Sequence, residues 1–181
     1  MYALGWTLVS VVVMVTVSWR LFRFSRESLR DPHTHGFWRF FAFELILVLA
    51  LIAAPRWFDA PLSVRQLLSW LMLCPAAILA FAGYWTLRTR GAPTETFEDT
   101  TVLIRSGIFR LIRHPMYAAL QLLTWGLFLK APGLLTGGLA GASSVFLVAA
   151  MRAEEREMIT RFGKDYLDYC GEVRALVPFV L

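Results

Sequence analysis

Five apolar stretches alternate with charged ones along this chain, and their lengths suit helices in a lipid bilayer. About 20 apolar residues, rising 1.5 Å each, cross a hydrocarbon core about 30 Å thick. Ala3 to Trp19 carries no charge. Phe37 to Ala54 is interrupted only by Arg39 near its start and Glu44 inside it. Leu67 to Leu87 contains Pro75, which bundled membrane helices accommodate. Pro115 to Leu129 and Gly133 to Met151 follow, joined by a Lys130-Ala131-Pro132 corner so short that the two must form a helical hairpin. The pattern predicts an all-α integral membrane protein with five transmembrane helices.

Composition agrees with one membrane bundle rather than a soluble domain, since 57% of the 181 residues are hydrophobic and 14% aromatic. A single membrane domain over 1–181 is expected, with a three-helix anchor at 1–87 and a second half at 88–181 made of the helical hairpin and a C-terminal lid. If the odd helices run inward, all 18 Lys and Arg except Arg56, Arg65 and Lys130 fall on one side. The positive-inside rule then places the N-terminus outside and the C-terminus in the cytoplasm. Arg20, Arg23, Arg26 and Arg30 follow the first helix instead of preceding it, the reverse of a cleavable signal, so that helix is expected to stay as an anchor. The net charge of +5 is thereby assigned to membrane flanks facing anionic lipid, and no nucleic-acid partner is implied. Cys74 lies in the third apolar stretch and Cys170 in the tail, so neither a disulfide nor a metal site is expected.

Polar chemistry concentrates at Arg105-Ser106-Gly107-Ile108-Phe109-Arg110-Leu111-Ile112-Arg113-His114-Pro115-Met116-Tyr117. Pro115 suits a first helical position, which puts His114 at the cap. The fourth helix, at 15 residues, is only about 23 Å long, so this polar knot must lie below the membrane surface or the bilayer must thin there. Beyond Met151 the fifth helix continues as a charged extension, with Met151, Glu154 or Glu155, Met158 and Phe162 at helical spacing and Gly163 as its stop. Tyr166, Tyr169, Val173 and Val177 then make an apolar stripe toward Pro178, the expected lid. Gly133, Gly137 and Gly141 form a small-residue ridge suited to close helix approach. Glu44 is costly inside an apolar helix and should be protonated or paired, with Arg39 or with a group on another helix.

The Gly107-Ile108-Phe109 turn, Arg113-His114-Pro115-Met116-Tyr117, the Glu154-Glu155 pair and Phe162-Gly163-Lys164-Asp165-Tyr166-Leu167-Asp168-Tyr169 resemble the isoprenylcysteine carboxyl methyltransferase family of integral membrane enzymes. That resemblance covers roughly the C-terminal half and implies S-adenosyl-L-methionine as cofactor, bound at a cytoplasmic pocket without a Rossmann fold. Carried over position by position, it implies cofactor contacts from Val102, Leu103 and Ile104, from Phe109, from His114, Pro115, Met116 and Tyr117, and from Glu154.

Such residue types suit a sulfonium cation with an ammonium tail and an adenine ring: a carboxylate, aromatic faces and a few directed hydrogen bonds. Methyl transfer gains chiefly from holding nucleophile and methyl together in a dry cleft. A carboxylate acceptor needs little proton transfer; an amine or alcohol needs a base, for which Glu155 and His114 are the candidates. Arg113 reads as a carboxylate-pairing anchor or as the holder of an anionic substrate group. Taken alone, His114 is a helix cap and the two glutamates a solvated face paired with Arg152 and Arg156. The prenylcysteine enzymes carry an arginine one turn before the cofactor glutamate, where this chain has Ala150. Their tyrosine after the turn is Phe109 here, and their upstream glutamine falls near Thr94. A lipid or lipophilic small-molecule acceptor, entering sideways from the membrane, therefore fits better than a prenylated protein. The Arg-His-Pro-x-Tyr unit also resembles NADPH-dependent membrane sterol reductases, the alternative enzyme class. A non-enzymatic membrane scaffold is the third.

Overall fold

The computed structural model describes residues 2–92 and 100–176, with side chains from residue 5 onward. Its elements are α1 (Tyr2–Ser25), α2 (His35–Ala53), α3 (Val64–Arg90), α4 (Pro115–Lys130), α5 (Leu134–Phe162) and α6 (Lys164–Glu172), with 3-10 turns at Ser28–Arg30, Ala54–Arg56 and Gly107–Arg110. Every regular element among the described residues is a helix. α1, α2, α3 and α5 are long and apolar enough to cross a membrane. α4, with 16 residues, is shorter, reaching about 24 Å.

Local chemistry sets the boundaries. Ser63 starts α3 by accepting a hydrogen bond from the Gln66 N–H at 3.3 Å. Pro115 opens α4 with His114 at the cap, yet the imidazole makes no capping bond and turns to other partners. α5 runs past its apolar part until Gly163, whose φ of 57° is reached readily only without a side chain. The chain then turns into α6.

α3 packs along α4 and α2 along α5, and the two pairs meet where α4 faces α5 and α2. Leu49, Leu127 and Leu147, with Ala42, Ala140 and Ala150, fill the space between them. α1 leans chiefly on α2. A polar bond joins the two, from Ser18 Oγ to Glu44 Oε2 at 2.6 Å, so the costly carboxylate of α2 finds a partner on another helix.

The small-residue ridge expected on α5 does not pack as the sequence suggested. A Cβ added at Gly141 would meet nothing within 4 Å, and one at Gly137 would make an ordinary 3.6 Å contact with Phe128. Gly133 lies outside the helix, as its cap. Close approach occurs instead between α3 and α4. A Cβ at Gly126 would stand 2.7 Å from Leu73 Cδ2, and one at Gly83 would stand 2.9 Å from Met116 Cγ. Beside Gly126, Ser69 Oγ donates to the Gly126 carbonyl at 2.8 Å, which fixes the register of the pair.

The corner between α4 and α5 is held by a fully buried lysine. Lys130 Nζ donates to Gln66 Oε1 at 2.6 Å and to the Trp57 carbonyl at 3.2 Å, and it stands 3.9 Å from the centre of the Trp70 ring. Carbonyl, amide and ring faces together replace the water this cation gives up.

Gly126→Val should lower the melting temperature in detergent markedly, the overpacking costing about 1–3 kcal/mol. Gly141→Ala should leave it unchanged or raise it, because Ala favours the helix by about 1 kcal/mol and has room. Equal loss from both substitutions would return the tight interface to the α5 ridge.

Candidate active site

The segment leading into α4 is shaped by its turns. Gly107, at φ 64°, starts the 3-10 turn that presents Phe109. The Phe109 carbonyl accepts a hydrogen bond from the Tyr169 hydroxyl at 2.5 Å, while Arg90 Nη1 reaches Ser106 Oγ at 2.7 Å from the end of α3. α3, the turn and α6 are thus tied before α4 begins.

The tail docks on this segment through its backbone. The N–H of Arg113 donates to the Arg174 carbonyl at 2.8 Å, and the N–H of His114 donates to the Ala175 carbonyl at 3.0 Å. The Arg113 side chain completes the joint, donating through Nη1 to the Cys170 carbonyl at 3.1 Å and to the Val173 carbonyl, and through Nη2 to Glu155 Oε1 at 2.7 Å. Burial works against the charge on Arg113, but its bond to Glu155 prevails and holds its pKa above the ordinary value. The guanidinium therefore stays charged at neutral pH.

Within about one turn, α5 sorts three carboxylates in three directions. Glu154, Met158 and Phe162 recur at intervals of four and share a cavity wall. Glu155, one residue on, meets Arg113 and stands 3.2 Å from His114 Nε2. Glu157 meets the start of α2, accepting the His35 N–H at 2.8 Å and contacting His35 Nδ1 at 2.6 Å. The nearest carboxylate oxygen of Glu154 is 4.0 Å from His114 Nδ1, so the buried imidazole lies between two acidic groups.

These elements surround a cavity that is partly open to its surroundings. Leu103, Ile104, Phe109, Arg113, His114, Pro115, Met116, Tyr117 and Glu154 all line it. The His114 and Tyr117 rings meet edge to face with centroids 5.6 Å apart. Two of the residues singled out from sequence stand elsewhere: Val102 is half exposed outside the wall, and Glu155 lies behind it, bonded to Arg113 and His114. The Glu155 carboxylate is thus shared by a guanidinium and an imidazole. Thr94, Val177 and Pro178 lie outside the described residues.

Tyr166 and Tyr169 close the cavity on the tail side. Burial raises the pKa of both hydroxyls, with the nearby Glu155 charge adding to the effect at Tyr166, so both remain protonated. Burial raises the Cys170 thiol as well, which keeps it a poor nucleophile. Sequence reasoning missed the wall supplied by α2, namely His35, Arg39 and Phe43. Their spacing of four residues was a readable sign, since it puts them on one helical face.

Residues 64–165 match the phospholipid methyltransferase family. Methanethiol S-methyltransferase 2 of Bradyrhizobium diazoefficiens is 33% identical over 73 residues, covering 39% of this chain and 27% of that protein. Methanethiol S-methyltransferase 1 of the same organism is 28% identical over 74 residues, 40% of this chain and 25% of that protein. Methanethiol S-methyltransferase of Pseudomonas deceptionensis is 27% identical over 73 residues, 39% of this chain and 26% of that protein. The matched stretch thus spans about a quarter of the length of these curated relatives. No solved structure matches the chain.

Arg113→Ala should release the tail. Backbone amides of Arg113 and His114 should exchange with deuterium at least tenfold faster, and the α6 region should become sensitive to protease. Arg113→Lys should restore little of this protection, because an ammonium lacks the planar fork that reaches two carbonyls and a carboxylate together. Unchanged exchange in Arg113→Ala would show that the backbone bonds suffice alone.

Proposed function

The chain belongs to the phospholipid methyltransferase family, and on that footing we propose that it transfers a methyl group from S-adenosyl-L-methionine to a lipophilic acceptor at the cavity below α4. The observation that carries this reading is the convergence of Glu154, His114 and Tyr117 in one aromatic-walled space. The cofactor supplies a methyl group activated on a sulfonium. The residues present fit such a guest. Glu154 is a carboxylate in the wall for an ammonium group, His114 offers a directed polar contact, and Tyr117, Phe109 and Phe162 offer apolar and aromatic surface to the adenine and the cation. Closure by the tail keeps water out, which strengthens every one of these contacts.

The reading includes five spans, with α4 as the short fourth. Its length draws the His114 end below the headgroups, and this places the cavity where both a water-soluble cofactor and a membrane-dissolved acceptor reach it. The bias of basic residues supports an outside N-terminus and a cavity facing the cytoplasm. Residues 1–87 then form the anchor and 88–181 the cofactor-binding half. Acceptors enter sideways, between α2 and the segment before α4, where the apolar side chains Phe43 and Leu103 line the wall. The relatives are named for methanethiol, and those names favour a thiol among the lipophilic acceptors.

Isothermal titration of the detergent-purified protein should detect S-adenosylhomocysteine binding. His114→Ala and Glu154→Gln should each weaken it about tenfold or more, the loss of a hydrogen bond to a charged group costing about 1.5–3 kcal/mol. The melting temperatures of both variants should stay near that of the parent. Binding of NADPH with none of S-adenosylhomocysteine would overturn the reading in favour of a reductase.

A further inference from the structure

On the methyl-transfer reading, we propose that His35, oriented by Glu157, is the base that takes the proton from the acceptor, and that the acceptor is a neutral thiol. The pair has the geometry of an imidazole fixed from behind. Glu157 holds α2 at two points, accepting the backbone N–H of His35 at 2.8 Å and contacting its ring Nδ1 at 2.6 Å. A carboxylate at that distance accepts, so Nδ1 carries the hydrogen, and in the neutral ring Nε2 holds the lone pair. His35 lines the cavity, and with Nδ1 engaged by Glu157 its Nε2 is the ring nitrogen left for a guest. This is the arrangement of a general base and its orienting carboxylate.

The other polar groups of the cavity are engaged differently. His114 stands between Glu154 and Glu155 and is buried. Arg113 is bonded to Glu155 and to two tail carbonyls. Arg39 lies over the Phe43 ring, 6.0 Å from its centre. An anionic acceptor would have to compete with those partners for a cation, whereas an acceptor that still carries its proton finds a base ready. A thiol meets this condition and is soft enough to attack a methyl carbon once deprotonated. In the step, the acceptor sulfur forms a bond to the methyl carbon, and the bond from that carbon to the donor sulfur breaks with its electron pair left on the donor sulfur. The thiol proton passes to His35 Nε2 and from there to water. The imidazolium formed is stabilised by Glu157, with Glu154 nearby on α5 and Arg39 opposing it from α2.

The experiment compares hexanethiol, which is protonated at neutral pH, with thiophenol, which is largely ionised. Labelled methyl transfer from S-adenosyl-L-methionine is followed with the parent, His35→Gln and Glu157→Gln. His35→Gln should lower turnover of hexanethiol at least a hundredfold and that of thiophenol less than tenfold, in line with the 10²–10⁴-fold contribution of a positioned base. Glu157→Gln should show the same split, smaller in size. Affinity for S-adenosylhomocysteine should stay unchanged in both, which separates a failed base from a lost cofactor site. Nitrogen NMR of the cofactor-free protein gives a second readout, because hexanethiol should shift the Nε2 resonance that disappears in His35→Gln. Equal losses on both thiols would reduce the pair to a structural tie between α2 and α5 and overturn the proposal. So would the absence of transfer to either thiol by parent protein that binds S-adenosylhomocysteine, an outcome that leaves the cofactor reading standing. Absence of S-adenosylhomocysteine binding itself would defeat the cofactor reading first.

Discussion

The docking of the tail on the two residues that precede α4 is the constraint from which the site follows. Two backbone bonds from Arg113 and His114 to the carbonyls of Arg174 and Ala175 would be weak alone, because each exchanges a bond to water for a bond to protein. The Arg113 fork converts them into a joint. It gathers carbonyls from the end of α6 and the residue after it, together with the Glu155 carboxylate of α5, around one planar cation. Three chain segments, at Arg113 and His114, at Glu155 and from Cys170 to Ala175, are thereby fixed in one place. The cavity is the space they cannot fill, and His114 faces it because its neighbours on both sides are held.

The opposite end of α4 is fixed by related means in an apolar setting. Lys130 gives up water entirely but regains a carbonyl, an amide oxygen and two indole faces, while Arg65 Nη1 bonds the carbonyls of Leu129 at 3.1 Å and Lys130 at 2.6 Å. Those carbonyls are among the last of the helix and have no partner within it. A short helix gripped at both ends, with Gly126 and Gly83 letting α3 lie against it, cannot slide along its axis. The place of His114 is then set by the packing of α4 rather than by the basic residues around it.

Sequence patterning reached the helices because they are written in local spacing, whereas the residues of the cavity wall were implied by the family resemblance. Pro115 fixed the start of α4 by its own geometry, and the expected end at Leu129 differs from the observed Lys130 by one residue. The first helix runs to Ser25 instead of Trp19, since Arg20 and Arg23 extend a helix as easily as they end an apolar run. The glycine ridge on α5 misled for a different reason. Spacing shows that small residues share a face but not which neighbour that face meets, and Gly141 has open space before it. His35 was passed over because it stands at the polar entrance to an apolar stretch. Its role depends on Glu157, 122 residues away, and nothing local announces that pairing.

Glu154, Glu155 and Glu157 show how one helix assigns different work to identical side chains. At about 100° per residue, Glu155 turns a quarter-circle from Glu154, while Glu157 returns to within about 60° of it on the other side. The first faces a cavity, the second an arginine, the third the imidazole of α2. Their environments differ accordingly: Glu155 and Glu157 have donors within 2.8 Å, whereas Glu154 has His114 Nδ1 only at 4.0 Å. A carboxylate without a close donor in a wall of aromatic rings is the one with most to gain from a cationic guest. Shifting α5 by one residue would hand Arg113 to Glu154 and turn Glu155 away, so the register set by Gly163 and the tail joint decides which acid is left for a ligand. The arrangement makes the acidic face of the cavity a property of the tail as much as of the residues that line it.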